Sequence, residues 1–139
     1  MWLYTRAGFF SVVRVHPALE MAKEYDTGED YLMIRARVER HLEYLYEANP
    51  DLISGSIVVT PNADYPYRVF IAAEAWKKLA ARLAEEINYP NFKGEIEKHT
   101  VHFETGYLQL LHTVWEKTRD YLGCARIEDD DNESLWDII

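Results

Sequence analysis

Arg35 and Arg37 stand two residues apart in Tyr31-Leu32-Met33-Ile34-Arg35-Ala36-Arg37, a run whose alternation reads as a β-strand. Side chains two apart on a strand project from the same face, so the two guanidinium groups share a surface. Arg40 and His41 follow directly, Arg6 and Arg14 fall on a first hairpin, and Arg68 falls on a second. Trp2, Tyr4, Phe9, Phe10, Tyr65 and Tyr67 are interleaved with them. A guanidinium fork matches carboxylate and phosphate geometry, and aromatic faces accept planar groups by stacking. Arg35, Arg37, Arg68 and Tyr67 are therefore a candidate site for a small anion. The competing account puts the aromatics in the core and pairs the arginines with Glu39, Glu43 or Asp64. A second candidate is Asn88-Tyr89-Pro90-Asn91-Phe92-Lys93-Gly94, which offers Asn91 and Lys93 on a connection between helices; binding residues often sit on such loops.

Other chemistry has thinner support. His99 and His102 are spaced i, i+3 and would share a helix face, with Glu104 or His112 as a third metal ligand. The spacing is not H-E-x-x-H and nothing fixes the third ligand, so the pair is a weak metal candidate and no cofactor is expected. Cys124 is the one cysteine, which excludes an internal disulfide framework. A lone cysteine just past a helix reads as inert. Ser11 and Ser56 lack a G-x-S-x-G context, and neither G-x-G-x-x-G nor a phosphate loop is present. No coherent catalytic set emerges.

The elements that must position these residues follow from patterning. Trp2–Thr5 and Phe9–Val15, rich in aromatic and β-branched residues, read as strands joined at Arg6-Ala7-Gly8. The Tyr31–Arg37 strand puts Ile34 and Ala36 on one face and Met33, Arg35 and Arg37 on the other. Val38, Leu42 and Leu45 mark a helix to Ala48, stopped by Asn49-Pro50. Gly55–Thr60 and Tyr67–Ala72 read as a second strand pair across a linker dense in turn formers. Trp76, Leu79, Ala80, Leu83 and Ile87 give the clearest helix, Ala73–Ile87. A short helix over Phe92–Lys98 and a last one over Phe103–Leu122 follow, the latter stopped by Gly123. The order β-β-β-α-β-β-α-α predicts an α+β fold: an antiparallel sheet of about five strands with helices on one face, in a ferredoxin-like sandwich.

Gly8-Phe9-Phe10-Ser11-Val12-Val13, Leu32-Met33-Ile34-Arg35-Ala36-Arg37, Asp64-Tyr65-Pro66-Tyr67-Arg68 and Asn88-Tyr89-Pro90-Asn91-Phe92-Lys93 together resemble a small family of uncharacterised bacterial proteins. The resemblance runs from Trp2 to about Trp115, with residues 17–30 as an insertion. It implies a stand-alone bacterial cytoplasmic protein and brings no activity and no catalytic residue.

Charge separates the chain into two parts. Of the net −9, six charges belong to residues 127–139, which hold Glu128, Asp129, Asp130, Asp131, Glu133 and Asp137 and no Lys or Arg. The rest of the chain carries only −3. Residues 1–126 are expected to form one domain and 127–139 an acidic tail. That tail ends in Leu135-Trp136-Asp137-Ile138-Ile139, so Leu135, Trp136, Ile138 and Ile139 are candidate partner-binding residues. The excess of acid weighs against nucleic acid as the ligand. No apolar run approaches the ~20 residues that span a bilayer, and the N-terminus lacks the features of a secretory signal, which points to the cytoplasm. The sequence thus favours a non-enzymatic protein-interaction module, with a protein partner or self-association as a homodimer as its mode of action. The alternatives are a binder of a small anionic ligand or nucleic acid through the arginine and aromatic surface, and a histidine-centred, metal-assisted enzyme.

Overall fold

Residues that alternate in polarity every second position build the centre of the protein. The computed structural model describes residues 1–15, 30–99 and 106–123. Strands β1 (Trp2–Tyr4), β2 (Phe9–Arg14), β3 (Tyr31–Ala36), β4 (Val58–Val59) and β5 (Tyr67–Ala72) form one sheet in the order β1-β2-β3-β5-β4. Every neighbouring pair is antiparallel. The α+β class and the five-stranded antiparallel sheet match the sequence expectation. Since β3 and β4 both run antiparallel to β5, they run parallel to each other. With helix α1 (Glu39–Ala48) between them they make a split β-α-β unit. That unit is common to ferredoxin-like proteins; the flanking β1-β2-β3 run does not establish the ferredoxin-like arrangement as a whole.

The register assigns each side chain to a face. Phe10, Val12, Ile34, Ala36, Val69 and Ile71 point to one side, where they pack with Leu42 and Leu45 of α1 and Trp76 and Leu79 of α2 (Ala73–Glu85). Ile34, Ala36 and Leu79 are wholly buried. Burying one such large apolar side chain stabilises the fold by about 1.5–3 kcal/mol. The other face carries a row in which Trp2, Ser11, Arg35, Arg68 and Val58 lie opposite one another on successive strands.

Two polar devices set the ends of the helices. Asn49 closes α1: its side-chain amide donates to the Leu45 carbonyl at 2.9 Å and its backbone N–H to Tyr46. Arg82 of α2 donates to Asn49 Oδ1 at 3.2 Å and forks onto both Asp51 oxygens at 2.8 and 2.6 Å. The fork holds α2 against the turn that ends α1, and its hydrogen bonds lower the Asp51 pKa. Two boundaries differ from the sequence expectation. Only Val58 and Val59 of the Gly55–Thr60 run pair as strand, because the chain turns at once: Thr60 N–H donates to Pro66 O at 2.7 Å and Asn62 takes φ +66°. Helix α2 ends at Glu85, which leaves Ile87 outside the apolar stripe and exposed.

The chain divides into two compact units, Met1–Ile87 and Asn88–Ile139. In the second unit, Asn91 caps helix α3 (Phe92–Glu97), its Oδ1 accepting from Gly94 N–H at 2.9 Å. Helix α4 (Tyr107–Leu122) follows, and Gly123 ends it with φ +74°. Ile96 of α3 and Tyr107, Leu108 and Leu111 of α4 are buried. Phe103, where the last helix was expected to begin, lies outside the described residues. Among the described residues no helix is long and apolar enough to cross a membrane.

Candidate functional site

The sheet face opposite α1 and α2 gathers most of the arginines and aromatics singled out in the sequence. Its first corner is the β1-β2 hairpin. Thr5 and Gly8 exchange backbone hydrogen bonds of 2.9 and 3.1 Å around the two-residue loop Arg6-Ala7. Gly8 takes φ +148°, and a Cβ there would lie 2.2 Å from His41 Cγ. The imidazole of α1 therefore fits only because residue 8 has no side chain. His41 Nδ1 accepts from Phe9 N–H at 3.2 Å. His41 is a buried structural link between α1 and the hairpin.

From this corner the aromatic rings run inward. Tyr4 stacks on Phe9 with centroids 4.8 Å apart, Trp2 meets the same ring edge-on at 6.2 Å, and Tyr65 lies 6.4 Å beyond it. Burial and, second, electrostatic repulsion from Tyr65 raise the Tyr4 pKa. Tyr65 is the platform for the guanidinium groups: Arg35 lies 4.6 Å and Arg37 4.9 Å from its ring centroid, while Arg68 Nε donates to its carbonyl at 3.2 Å. The structure thus brings Arg35, Arg37 and Arg68 together around one residue.

These three arginines differ in what neutralises them. Arg37 pairs with Asp64 at 2.9 Å in an exposed ion pair, and Arg14 and Arg40 also have carboxylate partners, Asp30 for the first and Glu43 and Glu47 for the second. Arg35 and Arg68 have none within 4 Å among the described residues. Arg35 instead donates from Nη2 to the buried Ser11 hydroxyl at 2.7 Å, and its Nε is buried with no hydrogen-bond partner among the described residues. A buried donor left unsatisfied costs about 1–3 kcal/mol. Arg35 and Arg68 are also direct cross-strand partners, with Cβ atoms about 5 Å apart in such a pair, and like charges so placed destabilise a sheet.

Tyr67 does not join them. It neighbours Arg68 on β5 and so projects to the opposite face, where it packs against the core. That parity was available from the sequence. Tyr65, named in the aromatic surface, and Asp64, named as an ion-pair partner in the competing account, hold the arginines together with Ser11, which the anion-site reading did not include; in Asp64-Tyr65-Pro66-Tyr67-Arg68 the proline takes Tyr65 out of the strand.

Asn91 and Lys93 belong to the second unit. Asn91 is occupied as a helix cap, and Lys93 Nζ sits 4.1 Å over the Trp115 ring, with Arg119 4.9 Å from the same centroid. His99 lies 3.7 Å from Glu95, and His112 lies 3.6 Å from Glu97. Among the described residues no group of three His, Cys, Asp or Glu side chains is placed to hold a metal ion. His102, Glu104, Cys124 and the partner-binding candidates Leu135, Trp136, Ile138 and Ile139 lie outside the described residues. Comparison with protein-family models, curated proteins and solved structures finds no match, so the functional reading rests on these residues alone.

Proposed function

We propose that the protein is a non-enzymatic protein-interaction module that associates with a second copy of itself through α4. One observation carries this reading: the apolar stripe of α4 continues beyond the part that is buried. Tyr107, Leu108 and Leu111 are buried, but Trp115, Tyr121 and Leu122 on the same stripe are 48%, 86% and 81% exposed. At 1.5 Å per residue, α4 is roughly 24 Å long and α3 only about 9 Å, so α3 can shield one end of it at most. Large apolar side chains exposed together mark contact surfaces, and aromatics are enriched at the centres of interfaces. Glu116, Lys117, Arg119 and Asp120 flank the stripe with two charges of each sign, so the flank carries no net charge to repel a copy of itself.

Light scattering on the full chain at micromolar concentrations tests the proposal. The expected mass is that of two chains, falling to one in Leu122→Ser and in Tyr121→Ser. A single-chain mass for the unaltered protein, or a two-chain mass that both variants retain, overturns it.

A further inference from the structure

We propose that Arg35 and Arg68 form a binding site for a phosphate monoester carried by an aromatic group, such as a nucleoside monophosphate. Two guanidinium groups face each other across β3 and β5 with no carboxylate between them among the described residues. Every other arginine on β2, β3 or the start of α1 has found an acid. An arginine has five N–H donors; Arg35 commits one to Ser11 and Arg68 one to the Tyr65 carbonyl. Both are braced by these bonds, and Arg35 also by the Tyr65 ring, with donors to spare. Bracing of this kind limits the ordering cost of binding.

The charge of the pair selects the anion. A phosphate monoester carries about −1.5 to −2 at neutral pH, which balances two guanidinium groups, whereas a carboxylate or a phosphodiester balances one. The aromatic requirement comes from the same row of the sheet. Trp2 is aligned with Ser11, Arg35 and Arg68 and is 68% exposed. It stands two strands from Arg35, about 10 Å at the usual strand spacing. A base stacked on Trp2 or on the Tyr4 and Phe9 rings would leave its phosphate within reach of the pair. A long polyanion is disfavoured by the net charge of −9.

Isothermal titration of the full chain with inorganic phosphate, a nucleoside monophosphate and a single-stranded oligonucleotide tests this. The nucleotide is expected to bind more tightly than phosphate. Arg35→Ala and Arg68→Gln are each expected to weaken it at least ~tenfold, the loss common when one partner of a charged hydrogen bond is removed. Trp2→Ala is expected to weaken the nucleotide toward the level of phosphate without affecting phosphate itself. Arg68→Gln keeps a polar, hydrogen-bonding side chain while removing the charge, so its melting curve separates a lost site from a lost fold. No binding of the nucleotide at millimolar concentration, binding unchanged in folded Arg68→Gln, or an oligonucleotide that outcompetes the nucleotide at equal phosphate concentration would each overturn the assignment.

Discussion

The two faces of the sheet are made from alternate residues of the same strands, yet they follow opposite rules. On one side Phe10, Val12, Ile34, Ala36, Val69 and Ile71 meet α1 and α2 and leave little surface exposed. On the other side Met33 and Phe70 are buried as well, but Arg35 faces Arg68, a buried Nε lacks an acceptor among the described residues, and Trp2 is largely exposed. The first face gains stability from every position. The second gives some of it up, which is the pattern expected where a surface is shaped for a ligand rather than for folding.

Neighbouring substitutions sharpen this contrast. Ile34→Ala, on the packed face, is expected to lower unfolding stability by about 2–5 kcal/mol, read by denaturant titration; a loss below 1 kcal/mol would remove the distinction between the faces. Gly8→Ala is expected to cost about 1–3 kcal/mol, because its Cβ would overlap the His41 ring. His41→Ala in the same chain should recover part of that loss, and a double variant no better than the single one would show that the strain lies elsewhere. Arg68→Gln, on the opposite face, should raise stability by up to about 1 kcal/mol, since it relieves the cross-strand repulsion.

The smallest effect concerns Asp51. The Arg82 fork lowers its folded pKa below its unfolded value of about 3.9. The pair therefore contributes stability that is complete above that unfolded value and is lost as the pH falls through the lowered one. Asp51→Asn should flatten stability over that acid window: its deficit is small, as befits an exposed pair, is greatest near neutrality and shrinks as the pH falls. Thermal melts of both proteins between pH 2 and pH 5, which differ equally at every pH, would contradict this.

Periodicity made the fold legible at long range from local cues. The alternation in Tyr31–Arg37 placed Ile34 and Ala36 inward and Arg35 outward, and the stripes at Leu42, Leu45, Trp76 and Leu79 identified the covering helices. What it did not contain was register across strands. That Arg35 faces Arg68, and that Ser11 lies beside them, depends on pairings between residues more than twenty apart in the chain. The helix ends were blurred for a local reason: Glu86 and Ile87 donate to Arg82 and Ala84 carbonyls after α2 has ended, so an apolar residue at helical spacing overstates its length. The stripe on α4 showed the converse. Spacing alone does not reveal whether a stripe is covered.

The division between the faces is tested most directly by the unfolding free energy of the unaltered protein and of Arg68→Gln, each measured with and without a saturating nucleoside monophosphate. Ligand that binds only the folded state adds to its stability. The account expects Arg68→Gln to be the more stable of the two without ligand and to gain at least about 1.4 kcal/mol less from it, the equivalent of the tenfold weaker binding, so that the unaltered protein overtakes it. A variant that is less stable without ligand, or that gains as much from it as the unaltered protein, would contradict the account.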